Sequence, residues 1–227
     1  MLGAHTSFFF LFAFVALFTQ RAAAQTYING QMFTNGLAII DSPAPQNPGH
    51  VGSEIPIAID VSGDGKLPAS ASSNSSDSTH FRSLEIYLVS AETNINITVS
   101  AGPGLLLNES GSTVKHLNWP IPTCIPAGNY NLTFYEASIF NNQGFFTITP
   151  IPIPISNASP SGQCANLSTL QSQPQSSNPL VQSPFAPNST LSTSAPTSTG
   201  ASQAVTVISA GATLMLALAL MFSVSLT

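Results

Sequence analysis

Residues 128–149 read Gly-Asn-Tyr-Asn-Leu-Thr-Phe-Tyr-Glu-Ala-Ser-Ile-Phe-Asn-Asn-Gln-Gly-Phe-Phe-Thr-Ile-Thr. Tyr130, Leu132 and Phe134 alternate with their neighbours at a period of two, the pattern of a strand with one face on a core and the other in water. Phe146 with Ile148 is expected to pair against them across a loop from Ser138 to Gly144. The alternation continues outwards from this stretch. Between Glu54 and Val61, the residues Ile55, Ile57, Ile59 and Val61 share one face, while Glu54, Pro56, Ala58 and Asp60 share the other. Leu84, Ile86 and Leu88 repeat the pattern, as do Ile95, Ile97 and Val99. Asn35-Gly36 suits a tight hairpin turn, and Pro43 to Gly49 a rigid loop. Roughly seven to eight strands over about 130 residues predict an all-β fold, an immunoglobulin-like antiparallel β-sandwich, with an open barrel as the alternative. The run Pro150, Ile151, Pro152, Ile153, Pro154, Ile155 cannot donate to a central ladder, so it is expected as an edge strand or a polyproline segment.

Only 6% of the residues are charged, so the apolar character is concentrated in places and not spread over a soluble surface. It sits at the two ends. An apolar run from Phe8 to Phe18, followed by Arg21 and the small triplet Ala22, Ala23, Ala24, has the order of a signal peptide. Residues 1–24 are expected to be removed, leaving Gln25 first; the alternative, an N-terminal membrane anchor, requires ~20 apolar residues. At the other end, Val205 to Thr227 is apolar, and no charged residue follows Glu136. The triplet Gly200, Ala201, Ser202, a weakly polar spacer and the apolar tail fit a glycosylphosphatidylinositol (GPI) signal, with 201–227 discarded. Gly200 is the expected attachment residue, with Ser198 and Ser202 as neighbours to it, and a retained membrane helix is the alternative.

Without Arg21 the basic residues are Lys66, Arg82 and Lys115, against 9 acidic ones, a net charge of about minus six. That excludes the clustered Lys and Arg of a nucleic-acid partner. Cys124 and Cys164 form an even pair in a chain bound for an oxidising compartment, which predicts a disulfide closing a loop across the last hairpin. The folded module is therefore expected over 25–165. Sequons begin at Asn74, Asn96, Asn108, Asn131, Asn157, Asn166 and Asn188. Asn96 and Asn131 lie between inward residues of their strands and are expected to face solvent, as a glycan requires. From 166 to 200 the chain is mostly Ser, Thr, Gln, Asn and Pro, a composition that predicts a disordered, O-glycosylated stalk. Fully extended, such a stalk would reach roughly 100 Å at about 3.1 Å per residue.

No catalytic constellation or cofactor motif stands above background. Asp60 and Asp64 around Ser62-Gly63 resemble part of a calcium loop but lack the acid at its twelfth position, and a polar turn is expected. Glu85, Glu92, Glu109 and Glu136 are scattered, with no acid and base pair among them. His50, His80 and His116 are the histidines of the mature chain, and a metal site would need all three to meet in space. Trp119 offers either a sugar-stacking platform or a core residue at a strand end, the latter being the commoner role.

Two stretches carry a resemblance. Ile40, Pro43, Gly52, Ile57 and Ile59 stand in the order of an early strand, and Trp119, Ile121, Pro122, Pro126, Gly128, Tyr130 and Leu132 follow a later Trp-x-Pro to Gly-x-Tyr element, with Phe146 and Ile148 in the last strand. Residues 37–150 thereby resemble the immunoglobulin-like module of the fungal Ser/Thr-rich GPI-anchored cell-wall family, related to the yeast proteins of β-1,6-glucan assembly. This sequence departs from the pattern at Asp60-Val61, where a tryptophan is usual, and in a longer insertion from Lys66 to His80. The resemblance implies a non-enzymatic protein of the outer membrane face or wall, with β-glucan as partner. Two alternatives stay open: a metal-binding or carbohydrate-active wall enzyme at His50, His80 and His116, and an adhesin-like module for protein partners.

Overall fold

The computed structural model describes residues 25–72, 75–164, 167, 178–187 and 189. Among them ten strands form two five-stranded sheets. They are β1 (Thr26–Ile28), β2 (Gln31–Phe33), β3 (Ile39–Ser42), β4 (Gly49–His50), β5 (Glu54–Asp60), β6 (His80–Ser90), β7 (Ile95–Ser100), β8 (Val114–Pro120), β9 (Gly128–Phe140) and β10 (Gln143–Ser156). The first sheet runs β1-β2-β3-β5-β8 and the second β4-β10-β9-β6-β7. Short β4 pairs parallel to the end of β10, and the other pairings are antiparallel. A single helical turn, α1 (Gly104–Leu107), lies on the connection from β7 to β8. The fold is the expected immunoglobulin-like sandwich, with β6, β7, β9 and β10 in the places of strands C, C′, F and G.

The core is built by the alternation seen in the sequence. Ile55, Ile57, Ile59 and Val61 face Leu84, Ile86 and Leu88, and Tyr130, Leu132 and Phe134 close the layer, all buried. Each such aliphatic side chain contributes about 1.5–3 kcal/mol by leaving water. Tyr130 also turns the chain into β9: its hydroxyl donates to the Pro126 carbonyl at 2.8 Å and accepts from Thr93 Oγ1 at 3.2 Å. This is the tyrosine corner of immunoglobulin-like folds. The Cys124–Cys164 disulfide forms as expected, joining the β8 to β9 connection to the chain beyond β10. The prolines of β10 lie opposite Thr133, Asn131 and Asn129. Spaced two apart, they set their missing donors along the side away from β9, where β4 pairs only with Ile155 and Ser156 beyond the last proline.

Four expectations are corrected. The last hairpin has no loop from Ser138 to Gly144; β9 and β10 run on to a two-residue turn at Asn141-Asn142, both with positive φ (49° and 64°), a left-handed pair that asparagine tolerates. That turn fixes the register so that Phe146 lies opposite Ala137 and Ile148 opposite Tyr135, on the outer face of the sheet. The inward residues of β10 are Phe145, Thr147, Thr149, Ile151, Ile153 and Ile155. Asn35-Gly36 is likewise no two-residue turn. It lies in the longer connection from β2 to β3, where the Glu136 carboxylate, reaching from the inner face of β9, accepts the Leu37 and Ala38 amides at 2.7 and 3.1 Å.

The third correction is to the module's end. Part of the stretch expected as stalk is packed on the sandwich: Leu180, Ser183, Phe185 and Ala186 are buried. Asn178 exchanges backbone hydrogen bonds with Phe146 at the free edge of β10, and the Leu180 amide donates to the Asn35 carbonyl. The Asn35 side chain returns the contact to the Leu180 and Val181 carbonyls, and Lys66 Nζ donates to the Phe185 carbonyl at 3.0 Å. Average composition hid this, because two large apolar residues are enough to seat a short segment on an existing core. The fourth concerns Asn96. It does lie on the outer face, opposite Val89, yet it is only 9% exposed; the neighbouring Ile97 bridges Leu167.

Candidate functional site

The outer face of the second sheet carries the most distinctive surface among the described residues. Strand register sets Tyr135 on β9 between Glu85 on β6 and Ile148 on β10, with Tyr87 and Phe146 on the diagonals. The Tyr87 and Tyr135 rings meet edge to face at 5.4 Å between centroids, and Tyr135 meets Phe146 at 6.4 Å. All three rings are half-buried, so each keeps part of a face in solvent. Tyr87 donates its hydroxyl to Glu85 Oε2 at 2.8 Å. Desolvation first, and then that bond and the Glu85 charge, push the Tyr87 hydroxyl up to about 12. Tyr135 is raised as well, by burial. Both phenols therefore remain protonated donors at neutral pH. The row offers apolar ring surface beside fixed polar groups, the combination that stacks on one face of a sugar and hydrogen-bonds its hydroxyls.

The residues singled out for metal chemistry are apart. His50 stands beside Ser156 at the Gly128 end of β9, with Nδ1 2.5 Å from Ser156 Oγ. His80 pairs with Ile139, eleven residues further along β9 and therefore about 36 Å away at ~3.3 Å per residue. His116 belongs to the first sheet, opposite Ala58, and its Nδ1 lies 3.0 Å from Glu109 Oε2. No group of three or more His, Cys, Asp or Glu could hold a metal ion among the described residues. The alternative of three converging histidines is not formed among the described residues. Around Asp60 the polar turn holds: Oδ1 accepts from Ser62 N and Oγ, and Oδ2 from Asp64 N, so the carboxylate is spent on its own loop.

Trp119 is 8% exposed within the core cluster, which removes it as a sugar platform. On β8 the alternation points it inward with Lys115. Lys115 is 1% exposed, and its ammonium donates to the Asn108 and Glu109 carbonyls at 2.7 and 3.1 Å. It thereby fixes the loop that presents the Asn108 sequon. Asn108 and Asn131 are exposed. Asn157 is engaged, its Nδ2 donating to the Thr123 and Ile125 carbonyls at 3.0 and 2.6 Å. Asn74, Asn166, Asn188 and Gly200, with the signal and tail segments, lie outside the described residues.

Sequence reasoning missed the aromatic row, because the register that brings Phe146 outward depends on Asn141-Asn142. The dipeptide Asn141-Asn142, a residue type that tolerates the left-handed conformation of a two-residue hairpin turn, was the signal that could have found it.

No protein-family model and no curated protein matches this chain. Among solved structures, the fibronectin(III)-like modules of Clostridium thermocellum CbhA are similar to it at 12% identity and a TM-score of 0.27, over 53% of this chain and 46% of that chain. The chain thus spans less than half of that structure.

Proposed function

We propose that this chain is a non-enzymatic glycoprotein of the cell surface, held by a GPI anchor, whose sandwich contacts neutral wall polysaccharide of the β-glucan class through the outer face of the second sheet. The row Tyr87, Tyr135 and Phe146 with Glu85 at its side carries the proposal. It is an amphipathic surface of ring faces and donors, with no titrating pair that would serve as acid and base. The apolar ends of the sequence and its resemblance to the fungal wall family support the location. The exposed sequon at Asn131 lies on the same face, four residues before Tyr135 along β9, so a glycan there would border the row.

The test is retention of the secreted chain on insoluble β-glucan. Tyr135→Ala and Phe146→Ala should each weaken retention severalfold with unfolding temperature nearly unchanged, while replacement of His50, His80 and His116 together by Ala leaves it intact. Retention indifferent to both aromatic variants, or none at all, would remove the proposal. Loss of retention in the histidine variant would bring back the metal-dependent alternative.

A further inference from the structure

We propose that Asn35-Gly36 is a deamidation site guarded by the docked segment around Leu180. While the segment is seated the Asn35 amide is held back from reaction; once it lifts, the amide is converted to an acid that bars its return.

In an Asn-Gly pair the glycine nitrogen attacks the preceding side chain more readily than in other pairs, because glycine has no Cβ to hinder the approach and its backbone rotates freely. The structure does not use this pair as a two-residue turn. It holds both reacting groups elsewhere instead. Asn35 Nδ2, the leaving group, donates to the Leu180 and Val181 carbonyls at 3.2 and 3.3 Å. The Gly36 amide, the attacking nitrogen, donates to Thr34 Oγ1 at 3.2 Å. The Asn35 carbonyl accepts from the Leu180 amide at 2.9 Å and from Thr147 Oγ1 at 3.0 Å, and Asn35 as a whole is 4% exposed. The bonds to Leu180 and Val181 fail together when the segment lifts, an opening local to that segment that costs less than unfolding both sheets.

The reaction then needs only water. The Gly36 nitrogen loses its proton and bonds to Asn35 Cγ, the Cγ–Nδ2 bond breaks, and Nδ2 leaves as ammonia, closing a succinimide ring. Water opens the ring at Cγ to give aspartate, or at the Asn35 backbone carbonyl carbon to give isoaspartate. Neither product fits beneath the segment. A carboxylate in place of the amide turns oxygen towards two carbonyl oxygens with no proton to share, and an unpaired buried charge is costlier than a lost hydrogen bond. The buried Glu136 carboxyl lies against Gly36, so the new acid also falls near an existing one. The isoaspartyl form further inserts a carbon into the backbone ahead of Leu37 and Ala38, whose amides Glu136 binds. Release thereby becomes one-way.

The experiment uses the full chain in mildly alkaline buffer, with peptide mapping that separates Asn, Asp and isoAsp at position 35 and amide exchange on the same samples. Asn35 should deamidate at least about tenfold more slowly than in the same chain unfolded in urea, at a rate that follows exchange of the Leu180 amide and not that of Leu84–Leu88. Leu180→Ala and Phe185→Ala, which loosen the segment, should each speed the reaction at least about threefold while Leu84–Leu88 stay protected. Deamidation that follows Leu84–Leu88, or is no faster in either variant, would overturn the guard; the comparison within the unaltered chain decides this even where a variant does not fold. The deamidated fraction, separated by its added charge, and Asn35→Asp should both exchange over Leu180–Ala186 at least about tenfold faster than the unaltered chain. Exchange there as slow as before deamidation would overturn the one-way step.

Discussion

The Glu136 carboxylate fills the space in which a side chain at Gly36 would begin: a Cβ on Gly36 would lie 2.5 Å from both carboxylate oxygens. Both residues are buried and neither can retreat, since the carboxylate is pinned by the Leu37 and Ala38 amides. Gly36→Ala should therefore cost about 2–4 kcal/mol, read as a lower midpoint in urea unfolding. Gly104→Ala is the control. Nothing lies within 4 Å of a Cβ there, and its effect should stay within about 0.5 kcal/mol.

Glu136 also sets a pH dependence. Burial raises its pKa above the usual carboxylate value, outweighing the backbone amides of Leu37 and Ala38, which favour the charged form. Below the ordinary value of 4.5 the group is protonated both folded and unfolded, and its neutral form is then fully stabilising. As pH rises the unfolded chain ionises first, so stability falls until the folded carboxyl ionises too. Glu136→Gln should flatten this decline above pH 4.5, and the difference between the two proteins isolates the effect, because Asp41 is raised by burial as well. Parallel stability curves for the two proteins across that range would refute it.

The docked segment should behave as part of the core. Phe185 stacks against Gly63, where a Cβ would lie 2.7 Å from the ring, and lies 5.8 Å from the Lys66 ammonium. Phe185→Ala and Leu180→Ala should each cost about 2–4 kcal/mol of stability, as buried truncations do. A chain ended after Cys164 should unfold at a lower temperature than one ended after Ser189. Equal unfolding temperatures would mean that the segment is not seated.

Tyr130→Phe removes a single hydroxyl from the tyrosine corner and leaves the ring packed. The Pro126 carbonyl then loses its donor, and the expected loss is about 1–2 kcal/mol in denaturant unfolding. A loss no larger than that of an exposed tyrosine such as Tyr27→Phe would show the bond to be dispensable.

The strands were legible in the sequence wherever one face meets the core and the other meets water, as in Ile55 to Val61 or Leu84 to Leu88. Alternation reports burial on one side only. On β10 it failed, because Thr147 and Thr149 are inward among polar partners, with Thr147 Oγ1 on the Asn35 carbonyl, while Phe146 and Ile148 face out. A wrong loop length shifted the whole register of that strand. The aromatic row was hidden for the same reason, being assembled from three strands whose alignment local sequence does not state. Trp119 and the histidines were legible as residues but not as neighbours, since meeting in space is a property of topology. Asn96 was assigned to the correct face, but alternation reports only which face a residue takes, not how far other chain covers it.

The seat of Phe185 and Leu180 changes the leash. With Ser189 tied back to Pro184 and Ala186, only eleven residues remain up to and including the proposed attachment at Gly200. At about 3.1 Å each they reach roughly 34 Å, a third of the span expected for the whole Ser/Thr/Pro stretch. Under the proposed anchor, a module on so short a tether would stay within that distance of the membrane surface.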